Sequence, residues 1–160
     1  MSAQPQSMDP EARLRAEHHQ SLRLWLRMLT CTHMFEAQIR TNLREQFNTT
    51  LPRFDLMAQL ERAADGVKMT ELSQRLMVSG GNITGITDQL ETEGLVERCA
   101  ADDKRASLVR LTAKGKTQFD KMAQHHEVWV MEAFASLSER DREELHKLLG
   151  RVKLQLKDLA

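Results

Sequence analysis

The sequence predicts a mainly α-helical fold with one small β-hairpin, and three observations predict it. Between Met69 and Thr112, two short helical patterns joined by a Val-Ser-Gly turn precede two strand patterns around an Asp-Asp-Lys-Arg tip. Ahead of that block, apolar residues keep helical spacing from Asp9 to about Phe47. Behind it, a leucine-rich stripe runs at helical spacing to Leu159. The order helix, turn, helix, strand, loop, strand is that of a winged helix-turn-helix, here with a two-stranded wing and long terminal helices.

Each element has its own justification. In the first helix Leu22, Trp25, Leu26, Leu29, Ile39, Leu43 and Phe47 keep the spacing, and no Gly or Pro interrupts after Pro10. Thr70 is the expected N-cap of the next short helix, whose Leu72 and Leu76 repeat at i, i+4. The helix after the turn places Ile83, Ile86 and Leu90 inward. It leaves Ser79, Gly80, Gly81, Asn82, Thr84, Gly85 and Asp88 on a small, polar, nearly uncharged outer face. An interior helical Gly costs roughly 1 kcal/mol against Ala. Gly85 therefore suits a backbone that must approach another surface closely; the alternative is a loosely ordered helix.

Leu95 and Val96 lead a first strand out of the core, and Ser107, Val109 and Leu111 share one face of the second. Val109 and Leu111 mark the inward face. At the tip between the strands, Asp103 can hold the Arg105 guanidinium in one orientation for a narrow minor groove. Thr112 caps a helix running to about Ala135. Ser138 then opens the last helix, with Asp141 in a capping-box position and a stripe of Leu145, Leu148, Leu149, Val152, Leu156 and Leu159.

A helix of this kind fits the DNA major groove, and the ribbon beside it reaches a neighbouring groove. Composition does not advertise that partner. Formal charge is zero, and 51–112 carries eight Lys/Arg against ten Asp/Glu, so local placement must govern phosphate contact. Cys31 and Cys99 form no CxxC pair and fit a reduced cytoplasmic protein, with Cys31 expected to be buried and inert. No apolar run is long enough to span a bilayer, and the polar N-terminus lacks a signal-peptide core.

A single winged module has no surface to cover the two terminal stripes. The simplest solution is a homodimer, which also matches a two-fold symmetric operator; an intramolecular bundle is the alternative. The expected organisation is a disordered 1–8, an N-terminal dimerisation and ligand helix over 9–50, a DNA-binding domain over 51–112 and C-terminal dimerisation helices over 113–160. No enzyme motif such as GxSxG, a P-loop, a dinucleotide fingerprint or HExxH is present, so no catalytic residue and no cofactor are assigned. Neighbouring histidines in His18-His19 and His125-His126 point about 100° apart on a helix, which makes each pair a poor chelate, and no metal site is assigned.

Three stretches carry a family resemblance: the Asp103-Lys104-Arg105 tip, the Leu111-Thr112-Ala113-Lys114-Gly115 exit and the run from Leu90 to Arg98. Together with Thr50 to Met57 they closely resemble the MarR (multiple antibiotic resistance regulator) family. The resemblance implies a repressor that contacts double-stranded DNA through Ser79, Gly80, Gly81, Asn82, Thr84, Gly85, Lys104 and Arg105. Many members carry bulky residues where this chain has Gly80 and Gly85. The 79–85 run resembles a subgroup of repressors of p-coumarate and ferulate catabolism that answer to hydroxycinnamoyl-CoA thioesters.

The resemblance further implies an effector site lined by the first helix and the helix after Pro52. Here that region offers Trp25, Met28, Leu29, His33, Phe35, Phe54 and Met57 as walls for a flat ring. Arg40, Arg44 and Arg53 are the cations for an effector's carboxylate or phosphates. Two other readings stay open: a metal- or redox-responsive regulator, and a helical dimer that serves as an interaction module without DNA.

Overall fold

The computed structural model describes residues 19–76, 80–100 and 107–160. The chain divides into two compact units, Met1–Asn48 and Thr49–Ala160. In the first, helix α1 spans Gln20–Phe47, and burial is confined to Ile39 and Leu43. The helix ends at Asn48, which takes the left-handed conformation (φ 49°) while its N–H donates to Arg44 O and Leu43 O. Asn tolerates that conformation better than most residues, so the break is written into the sequence. Cys31 is exposed, not buried as expected. Cysteine's preference for interiors is an average over folds, and the helix residues on either side of Cys31 are exposed as well.

The second unit runs α2 (Leu51–Glu61), β1 (Val67–Lys68), α3 (Met69–Arg75), α4 (Gly80–Thr92), β2 (Val96–Ala100), β3 (Ser107–Leu111), α5 (Ala113–Ala133) and α6 (Glu139–Asp158). The sheet has three antiparallel strands in the order β1-β3-β2, so the expected two-stranded wing gains a third. Val67 pairs with Val109, and Val96 pairs with Leu111 at the other edge. A strand of two residues is too short to show a period-2 pattern, which is why β1 is invisible in the sequence. The same strand moves a helix start. Lys68, extended, is the cap of α3, and Thr70 lies inside the helix.

Leu56, Met57, Leu60, Leu72, Ile83, Leu90, Leu95, Val96, Val109 and Met122 are essentially inaccessible and form the core of this unit. Phe54 extends it toward α5. Its ring stacks on Phe119 (centroids 5.6 Å apart) and lies 5.0 Å from His126, which in turn meets Trp129 edge-on at 6.4 Å. Burial pushes the His126 imidazole below the usual histidine value.

Two joints fix the helices at the sheet. Helix α4 closes on Gly94 (φ +71°): Leu95 N–H donates to Leu90 O and Gly94 N–H to Glu91 O, the paired bonds of a Schellman motif. Immediately beyond, Thr112 caps α5. Its Oγ1 accepts from Gly115 N–H (3.0 Å) and donates to Gly94 O (2.7 Å), and its N–H donates to Leu95 O (3.1 Å). Gly115 packs against the same carbonyl so closely that an added Cβ would lie 1.8 Å from Leu95 O. At the far end, Ser138 and Asp141 form the expected capping box of α6.

Gly115→Ala should therefore force the Leu95 backbone away and cost about 3 kcal/mol or more. Gly150→Ala, in open space on α6, should be neutral or stabilising by up to about 1 kcal/mol. Urea denaturation of the two variants checks this, and equal stability would sink the close-packing account. His126 makes a pH prediction. Its folded pKa lies below the unfolded value of about 6.5. Its neutral packing thus contributes stability that is complete above that value and is lost as pH falls through the folded pKa. Thermal melts from pH 8 to pH 5 (~7.5 to ~5 being the informative window) should show a steeper decline for the parent than for His126→Gln.

Candidate nucleic-acid interface

Helix α4 is positioned by its inner side. Ile83, Ile86, Thr87 and Leu90 are buried, and the Thr87 hydroxyl is satisfied within the helix by donating to Ile83 O at 2.8 Å. The opposite side carries Asn82, Thr84, Gly85, Asp88, Gln89 and Thr92, all exposed. Among the described residues, nothing beyond the helix's own backbone and the two chain neighbours comes within 4 Å of the place a Cβ would occupy on Gly85. The small polar surface expected from the sequence is thus brought together for Asn82, Thr84 and Gly85. Gly80 and Gly81 open the helix. Ser79, Lys104 and Arg105 lie outside the described residues, as do 1–8.

The sheet is tied to this helix by ions. Strand alternation puts Arg98 on the same side of β2 as buried Val96. From there its guanidinium bridges Asp88 and Glu91, three residues apart on α4. Glu91 also accepts from the Arg98 backbone N–H at 3.3 Å. The Asp88 hydrogen bond, ahead of Glu91, raises the Arg98 pKa further, with desolvation opposing it. On the other face of the sheet, Arg110 donates to its cross-strand neighbour Glu97 at 2.6 Å. Arg53 of α2 reaches Glu93 at the end of α4, and Lys114 donates to the Glu93 carbonyl at 2.7 Å.

The Arg98 bridge was not identified in the sequence. The signal for it was present: an Arg two residues after a buried strand position, facing a helix with carboxylates at i and i+3. Reading Glu97-Arg98 only as the polar end of a strand hides it.

The residues expected to receive an effector fall in both units. Trp25, His33, Arg40 and Arg44 of α1 are exposed, and Met28, Leu29 and Phe35 are part-buried. Arg40 pairs with Glu36 one helical turn away. In the second unit Phe54 and Met57 are buried core residues, and Arg53 is engaged by Glu93. Among the described residues, no three His, Cys, Asp or Glu side chains gather as a metal cluster would. No helix among them is long and apolar enough to cross a membrane.

Comparison with known proteins places this geometry. The MarR family model matches residues 47–106, from the end of α1 through the helix-turn-helix and β2. The uncharacterized HTH-type transcriptional regulator YkoM of Bacillus subtilis is 32% identical over 115 residues, covering 71% of this chain and 73% of that protein. A MarR family transcriptional regulator from Silicibacter pomeroyi is 27% identical, with a TM-score of 0.73 over 89% of this chain and 99% of that one. A mutant MarR from E. coli, solved in complex with operator DNA, is 24% identical, with a TM-score of 0.72 over 86% of this chain and 99% of that one. Together, the family model on the helix-turn-helix and a relative matched over most of its length place the chain in the MarR family of winged-helix transcriptional regulators.

Proposed function

We propose that the chain is a homodimeric repressor that binds a pseudo-palindromic operator and releases it when an aromatic effector binds. One observation carries the DNA reading: α4 is clamped by a fully buried inner stripe while its outer face is small, polar and open around Gly85. Such a face can reach base edges without a side chain holding the backbone away. The operator complex of the E. coli neighbour supports the same role for this fold. In this reading Asn82 and Thr84 contact bases, Gly80, Gly81 and Gly85 allow close approach, and Ser79, Lys104 and Arg105 contact the backbone or minor groove.

The dimer is supported by α6. None of its residues is buried, and Leu145, Leu148, Leu149 and Val152 are 38–45% exposed along one stripe. An apolar row of that length is a partner surface. A second copy offers the same row, and two-fold pairing sets two α4 helices against two half-sites. The domain roles follow, with 51–112 reading DNA and 9–50 and 113–160 pairing the subunits.

The effector class rests on the Ser79-to-Gly85 run, whose resemblance points to hydroxycinnamate-type regulators of aromatic-compound catabolism. On α1, Trp25, Met28, Leu29 and Phe35 supply apolar surface, and His33, Arg40 and Arg44 supply polar and cationic groups for a carboxylate or CoA phosphates, whereas Phe54 and Met57 are committed to the core of their own unit and Arg53 to Glu93. Release is a population shift in which the effector favours a dimer whose α4 spacing no longer matches the half-sites. A thermal-shift screen of aromatic acids beside their CoA thioesters tests this part. Stabilisation by neither class removes the aromatic reading and leaves DNA binding standing.

Selection of duplexes from a random-sequence pool tests the DNA reading. Asn82→Ala should relax sequence preference by about 1–3 kcal/mol at one base position. Gly85→Ala should keep or raise thermal stability, by up to about 1 kcal/mol, yet weaken binding to the selected duplex. A Gly85→Ala variant that binds as well as the parent reduces Gly85 to a tolerated helix weakness. For the dimer, Leu149→Glu with Val152→Glu should bury unpaired charge at a cost on the order of several kcal/mol. Sedimentation should then report monomer and operator binding should fail; a parent that sediments as a stable monomer at micromolar concentration overturns the dimer.

A further inference from the structure

The face of α4 assigned to DNA is not uniformly neutral. Asp88 lies four residues after Thr84, and Glu91 seven after it, so both carboxylates continue the same helical stripe toward the C-terminal end. Their side chains are 58% and 39% exposed, enough to face a phosphate backbone across little protein. Carboxylates so placed oppose DNA, because affinity for a duplex rests on cations meeting phosphates. The Arg98 guanidinium bridges both, and it comes from β2, not from α4 itself.

We propose that Arg98 is a positioning residue for DNA binding: by bridging Asp88 and Glu91 it cancels half of their charge and holds them off the phosphate path. The inference rests on the assignment of α4 as the DNA-reading helix. Arg98 need not touch DNA. With it in place the three side chains carry one net negative charge; without it they carry two, neither of them held. Its backbone N–H, bonded to Glu91, adds a second point of attachment that keeps the carboxylate turned toward the strand.

The test uses the full-length chain, a duplex selected by it from a random-sequence pool, and a shuffled duplex of equal length. Arg98→Gln should fold, by circular dichroism, and lose about tenfold or more in affinity for both duplexes at low salt, with the deficit shrinking as ionic strength rises. Adding Asp88→Asn and Glu91→Gln to that variant should restore affinity to within about threefold of the parent, since the repelling charges are gone. A merely structural role predicts the opposite: a salt-independent deficit that the triple variant keeps. That result overturns the proposal, as does Arg98→Gln binding as well as the parent. Should Arg98→Gln fail to fold, the Asp88→Asn, Glu91→Gln pair decides. The proposal requires it to bind shuffled DNA at least as well as the parent, and weaker binding overturns it. If the parent itself binds no duplex, the DNA reading falls and this inference falls with it, which separates that failure from the others.

Discussion

The carbonyl of Leu95 is the point on which the second unit is built. It receives the Thr112 N–H and leaves room for no side chain on Gly115, so the end of α4, the start of β2 and the start of α5 converge within one contact distance. Gly94 makes the approach possible, because only a residue at ease with φ +71° can close the helix and send Leu95 directly into the sheet. Thr112 then satisfies three polar groups at once, and the Lys114 ammonium covers the remaining carbonyl of Glu93. Each of these bonds contributes only about 1 kcal/mol net. Their value lies in geometry: the C-terminal end of α4 is fixed by backbone, so the composition of its outer face is free to follow what its partner requires.

That freedom explains a composition that argues against the family. The region 51–112 holds more acids than bases, yet most of its acids are spent internally. Glu71 pairs with Arg75, Asp88 and Glu91 with Arg98, Glu93 with Arg53, Glu97 with Arg110, and Glu61 with Lys116 of α5. Pairs as exposed as these add little to stability. What they change is the field at the surface, since a paired carboxylate repels a phosphate less than a lone one at the same distance. Net charge counted from sequence treats all of these groups as if they faced the same partner.

Much of the fold was legible because it depends on local rules. The inner stripe of α4, the Thr112 cap and the Ser138–Asp141 box each involve residues within a few positions of one another, and spacing alone reveals them. What escaped depends on partners distant in sequence. Strand β1 exists only because Val67 and Lys68 find β3 some forty residues on, and its presence displaced the expected cap from Thr70 to Lys68. The Leu111-to-Gly115 stretch was legible as a family signature, but its physical reason, a carbonyl with no room beside it, required coordinates. Cys31 shows the reverse error, a residue average applied to a position that is exposed.

The two ends of the chain behave unlike the middle, and the contrast bears on mechanism. The core of the second unit closes over α4 and the sheet without any contribution from α6, whose apolar stripe stays open from Leu145 to Leu159. A module that is already packed does not need that stripe for its own stability. In the proposed dimer the stripe therefore sets only the distance and angle between two finished reading heads. Such an arrangement suits a regulator, because a ligand that alters pairing of the ends can change half-site spacing while each α4 keeps its own packing. The rigid joint at Leu95 is then as necessary as the adjustable one. If α4 could yield where it meets the sheet, movement of the terminal helices would be absorbed there and would never reach the DNA.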